Sequence, residues 1–220
     1  MHIEVLKNLF ETHKESHLYH RYITNAHIEP LFKKLESKMT IEVIGASVLK
    51  KPIYGIRMGS GTKKILMWSQ MHGNESTTTK ALFDVLNTLS DVTDITEHVL
   101  STCSLYIIPI LNPDGAEAYT RLNAQNIDLN RDAQTLSQPE SKILRQVFNA
   151  FKPDFCYNLH GQRTIFSAGK TNHPATVSFL APAQDAQCTV TPNRKRAMEL
   201  IAAMNATLQL VIPNQVGVYD

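Results

Sequence analysis

The sequence predicts an α/β fold with a mixed, largely parallel central sheet and helices on both faces. Three observations carry this expectation. Strand-like and helix-like segments alternate along the chain. The runs beginning at Lys63 (KKILMWSQMH) and Cys103 (CSLYIIPIL) are nearly continuous in apolar residues, as strands covered on both faces require. Polar motifs cluster where such runs end, which is where ligands gather in open sheets. At 220 residues and 43% hydrophobic content the chain can bury one substantial core, so a single domain over 1–220 is expected.

A helix-like, histidine-rich segment opens the chain over 1–40. IEVIGASVL and PIYGIRMGSG follow as β-rich runs whose break at Lys50 and Lys51 predicts a hairpin. After KKILMWSQMH, residues 74–90 place Ala81, Leu82, Val85, Leu86 and Leu89 at helical spacing, with Asn74 as the expected cap. CSLYIIPIL ends at Asn112-Pro113-Asp114-Gly115, which reads as a turn because proline fixes φ and glycine permits positive φ. Gln138-Pro139-Glu140 opens a helix through Phe151, with proline suited to the first turn. DFCYNLH and TVSFLAP are further strands, Thr191-Pro192 starts a last long helix to about Leu210, and VIPNQVGVYD reads as a strand or loop.

Twenty-two Lys and Arg against twenty Asp and Glu leave +2, too even a balance to suggest a nucleic-acid surface, and Arg194-Lys195-Arg196 reads as a solvated helix face. The first 22 residues lack the uninterrupted apolar stretch of a signal peptide, and no span is long enough to cross a membrane. Cys103, Cys156 and Cys188 are odd in number and without paired spacing. Reduced, buried thiols in a cytoplasmic protein are therefore expected.

His72-Gly73-Asn74-Glu75 lies where a strand gives way to a helix, so an imidazole and a carboxylate three residues apart converge at the sheet's edge. A catalytic zinc takes three protein ligands and keeps one position open, and two histidines with one glutamate meet that need. His160, ending the strand-like run from Phe155, fits as the third ligand to one Zn2+ ion. Taken alone, His72 reads as a turn histidine and Glu75 as a first-turn carboxylate favoured by the helix dipole.

The stretch between these ligands decides otherwise. In order, HGNE, NPDG, a following Arg, DLNR and a strand-final His resemble the zinc carboxypeptidases, the superfamily of carboxypeptidase A, over roughly residues 40–190. The resemblance implies that His72, Glu75 and His160 bind zinc and that Asp128 orients the first histidine. It also implies that Arg121 faces the scissile carbonyl and that Asn130 and Arg131 hold the free terminal carboxylate of a peptide substrate. The chemistry agrees. A carboxylate on the outer imidazole N–H fixes the tautomer, a fixed cation steadies an oxyanion, and guanidinium offers two-pronged donors to a carboxylate.

The family's glutamate base and closing tyrosine lie well beyond the last zinc histidine, whereas this sequence stops at Asp220. Only Asp185, Glu199 and Asp220 are acidic after His160, Glu199 falls inside a helix, and Tyr219 is too near His160 in sequence for the family's tyrosine role. An incomplete catalytic domain, inactive by itself, is the expectation. Two alternatives stay open: an amidohydrolase resembling aspartoacylase and succinylglutamate desuccinylase, which share the HxxE and late-histidine features, and a non-catalytic zinc-binding domain.

Overall fold

The computed structural model describes residues 3–91, 93–162 and 165–219. Its elements are α1 (Ile3–His13), α2 (Asn25–Leu35), β1 (Thr40–Ala46), β2 (Pro52–Met58), β3 (Lys63–Trp68), α3 (Thr77–Ser90), α4 (Asp94–Thr102) and β4 (Cys103–Ile108). There follow α5 (Pro113–Ala118), α6 (Pro139–Phe151), β5 (Phe155–Asn158), β6 (Val177–Phe179), α7 (Pro192–Leu208) and β7 (Val216–Val218). The chain divides into two compact units, Lys7–Gly161 and the segment from Gln162 onward with the first residues of the chain.

The first unit is built on a five-stranded sheet of order β1-β2-β4-β3-β5. β1 and β2 form the expected antiparallel hairpin, with Lys50 at φ 65° in its turn. β3 lies between β4 and β5 and runs parallel to both. Because successive side chains of a strand point to opposite faces, the continuous apolar runs supply two cores. Leu105 and Ile107 join Leu82, Phe83 and Leu86 of α3 and Ile28, Phe32 and Leu35 of α2. Tyr106, Ile108 and Leu66 join Ile143 and Val147 of α6. Helices thus cover both faces of a mixed sheet, as the sequence predicts.

This topology creates the site. From β3 the chain reaches β4 by way of α3 and α4, and from β4 it returns past β3 to β5 by way of α6. The two crossovers use opposite faces. The carboxyl ends of β3, β4 and β5 therefore flank a switch point, the place where open α/β sheets bind ligands.

Several expectations need correction. Asn74 is not a cap: α3 starts at Thr77 with Ser76 before it, and residues 73–76 form the loop that turns Glu75 inward. Val85 is exposed, and Phe83 takes the buried place instead, so the stripe of α3 is rotated from the one expected. NPDG is not a turn but the start of α5: Asn112 accepts a hydrogen bond from the Gly115 N–H and Pro113 occupies the first helical turn. α4 was not expected at all, although Thr93 and Thr96 form a capping box at its start. Cys156 is exposed because β5 is a four-residue edge strand, and Cys188 is exposed as well; all three thiols are free.

The second unit contains β6 and β7, paired parallel, and α7, which starts at Pro192 as expected but buries none of its residues. Asp185 and Glu199 belong to it, while Asp220 lies outside the described residues. Among the described residues no helix is long and apolar enough to cross a membrane.

Candidate metal centre

His72 follows β3 in a loop closely packed against α5. A Cβ on Gly73 would stand 1.9 Å from the Gly115 carbonyl carbon, so only glycine permits this approach. Gln70, buried at φ 43°, braces the loop: its amide nitrogen donates to the carbonyls of Ile23 and Gly73, and its oxygen accepts from the Thr79 hydroxyl. The Thr78 hydroxyl donates to the Leu159 carbonyl, tying the start of α3 to the end of β5 beside His160.

The predicted ligands converge. His72 Nδ1 lies 3.0 Å from Glu75 Oε1, His160 Nδ1 lies 2.9 Å from Glu75 Oε2, and the two Nδ1 atoms are 3.2 Å apart. Donors about 2.0–2.1 Å from a tetrahedral zinc stand about 3.3 Å from one another, so this spacing is close to that of a zinc polyhedron. Among the described residues, His72, Glu75 and His160 form a cluster able to hold one divalent metal ion.

The hydrogen-bond polarity makes the same demand. His72 Nε2 is 3.1 Å from Asp128 Oδ1, and a carboxylate there accepts the Nε2 proton. In the neutral ring Nδ1 then presents a lone pair to Glu75 Oε1, two acceptors face to face. A proton or a metal cation between them removes the conflict, and the remaining donors suit zinc.

Glu75 is held as a carboxylate. Burial pushes its carboxyl up, but the contacts with the His160 and His72 rings and the hydrogen bond from the Gly161 N–H outweigh burial and hold it well below the usual range. Asp128 shows the same balance: burial raises it, while His72, the Asn130 N–H and Arg121 bring it below its ordinary value. Arg121 is 3.1 Å from Asp128 Oδ2 and 3.5 Å from Glu75 Oε1, so its guanidinium is fixed beside the metal ligands. Asn130 is anchored through its N–H to Asp128 Oδ1, and the Arg131 N–H donates to the Asp128 carbonyl, leaving the Arg131 side chain exposed.

Sequence reasoning missed the supports. Asn123 closes the loop between Arg121 and Asp128, accepting from the N–H groups of Gln125 and Ile127 and donating to Gln138 and Glu140. Glu140, fully buried, also accepts from the Val48 N–H. Asp132 accepts from the Ser137 hydroxyl and from the N–H groups of Ser137 and Gln138. No signal in the sequence singles them out, because their burial and the pairing that permits it become visible only in the fold.

The family model described as zinc carboxypeptidase matches residues 24–212. Carboxypeptidase 2 of Trichophyton rubrum is 27% identical over 115 residues, covering 51% of this chain and 21% of that protein. The metallo-carboxypeptidase of Burkholderia cenocepacia superimposes with a TM-score of 0.71 at 16% identity, over 90% of this chain and 54% of its own. Carboxypeptidase A of Helicoverpa armigera gives 0.69 at 17% identity, over 98% and 64%. At these identities the solved structures establish the fold. The matched segment, half of this chain, covers about a fifth of the length of the curated relatives.

Proposed function

The chain belongs to the zinc carboxypeptidase family, and from that membership we propose that it carries the metal-binding and substrate-anchoring part of a peptidase that removes single residues from peptide C-termini. The observation that carries this reading is the linkage of the His72–Glu75–His160 cluster, through Asp128, to Arg121 and to Asn130 and Arg131. Zinc bound there supplies Lewis acidity and acidifies a water molecule.

The chain's own residues do the remaining work. Asp128 keeps the proton on His72 Nε2 and so keeps Nδ1 free to ligate. Arg121, already neutralised in part by Asp128 and Glu75, offers N–H donors to the oxygen of a scissile carbonyl as negative charge develops on it. Asn130 and Arg131 hold the substrate's terminal carboxylate, which turns binding energy into placement of the last peptide bond. Both carboxylates at the centre are engaged, Glu75 as a ligand and Asp128 with His72 and Arg121. Neither is free to take the water's proton, so turnover by the residues of this centre alone is slow.

The test is to incubate the zinc-loaded chain with a peptide library and to read the products by mass spectrometry. Slow, zinc-dependent loss of single C-terminal residues is expected, with Arg131→Ala weakening substrate binding. Turnover on the order of 1–1000 s⁻¹, ordinary for a complete enzyme, would show that a base is present within the chain. Cleavage of N-acyl amino acids with peptides untouched would replace the peptidase with an amidohydrolase.

A further inference from the structure

The last residue of β5, Asn158, is not among the residues so far given a role. Its side-chain nitrogen donates to Asn130 Oδ1 at 3.2 Å and also faces Met71 Sδ at 3.8 Å. Its backbone is fixed by pairing with Trp68 of β3. Asn130 is held at its other end by the bond from its backbone N–H to Asp128 Oδ1. With its backbone held, Asn130 keeps its two side-chain rotations, and the turn of the terminal amide about the last bond decides which end of the amide faces Asn158.

That turn decides the sign of what the amide offers. A primary amide has one accepting oxygen and two N–H donors on opposite sides, and a carboxylate accepts only. An Asn130 whose oxygen faced the substrate would repel the terminal carboxylate; one whose nitrogen faces it would bind. From geometry on both sides of this contact, we propose that Asn158 is a positioning residue which, by occupying Asn130 Oδ1, turns the Asn130 NH2 group toward the substrate's terminal carboxylate. This rests on the reading of Asn130 and Arg131 as the carboxylate anchor and adds what selects an acid over an amide at the chain end.

Reversing the hydrogen bond tests it. In Asn158→Asp the new carboxylate accepts where the amide donated, so Asn130 turns its NH2 group toward residue 158 and its oxygen toward the ligand. The experiment is calorimetry on the full chain, kept metal-free with a chelator so that no ligand coordinates zinc or is hydrolysed. The probes are N-acetylglycyl-phenylalanine and its C-terminal amide. The unaltered chain should prefer the acid. Asn158→Leu should lose about tenfold in acid affinity, the size of a lost hydrogen bond to a charged group, with amide affinity unchanged. Asn158→Asp should lose more for the acid and gain for the amide.

The gain for the amide separates an orienting role from simple charge repulsion, which lowers acid affinity only. Loss of acid affinity in Asn158→Asp without any gain for the amide would overturn the proposal. So would an unchanged acid-to-amide ratio in both variants while the unaltered chain still discriminates. If the unaltered chain does not discriminate acid from amide, the carboxylate anchor itself is wrong and Asn158 has nothing to position.

Discussion

The two walls of the metal centre are built differently. On one, His72 is 2% exposed at the end of an interior strand, with Asp128 on its outer nitrogen and α5 pressed against its loop. On the other, His160 is 33% exposed and follows a four-residue strand at the sheet's edge. The first wall is fixed by packing and hydrogen bonds before any ion binds. The second supplies a ligand held by Glu75 and, through the neighbouring backbone, by the Thr78–Leu159 bond. A metal site thus has a scaffold side and a closing side, and damage to each should read differently.

The largest expected effect comes from the closing side. His160→Ala removes one of three protein ligands while leaving the His72–Asp128–Arg121 chain of contacts intact. The variant should fold, as judged by its circular dichroism, and hold little zinc by elemental analysis. Unchanged zinc stoichiometry would remove His160 from the ligand set and dissolve the comparison.

The scaffold side should respond more mildly. Asp128→Asn keeps the shape but replaces the carboxylate that receives the His72 proton, and losses of this kind cost about ten- to a hundredfold in metal affinity. A competition titration with a chelator measures it. An effect as large as that of His160→Ala would mean that the scaffold side also carries the coordination energy, and no effect would return Asp128 to an ordinary turn residue.

The same contrast explains what was legible in the sequence. His72, Glu75 and His160 were readable because their chemistry is local: each sits at the end of an apolar run, and the intervening motifs specify their partners. The hairpin at Lys50–Lys51 and the helix starts at Pro139 and Pro192 were readable for the same reason. NPDG was misread because a turn and the first turn of a helix share backbone angles and residue preferences. The supports were not legible, since Gln70 finds its partners at Ile23 and Thr79, and Glu140 finds its own at Val48 and Asn123. Pairings across such separations leave no periodic trace. The burial of Cys156 failed on the same ground, because an apolar run does not say that its strand lies at an edge.

The smallest expected effect concerns the footing of the scaffold side and is read by pH. Asp132 is buried four residues after Asp128 and accepts three hydrogen bonds from Ser137 and Gln138. Burial pushes its carboxyl up, but the Ser137 hydroxyl and the N–H groups of Gln138 and Ser137 prevail and bring it from 3.8 down to about 2. A folded-state value below the unfolded one stabilises the fold above the unfolded value, and that stabilisation disappears as pH falls through the folded one. Asp132 should therefore contribute on the order of 2 kcal/mol above pH 3.8, lost progressively as pH falls through about 2. Asp132→Asn should be less stable at neutral pH and show a flatter decline in urea-unfolding free energy across that window. If both proteins lose stability in parallel on acidification, the segment from Asp128 to Gln138 is held by its backbone turns alone, and the scaffold wall needs no buried carboxylate beneath it.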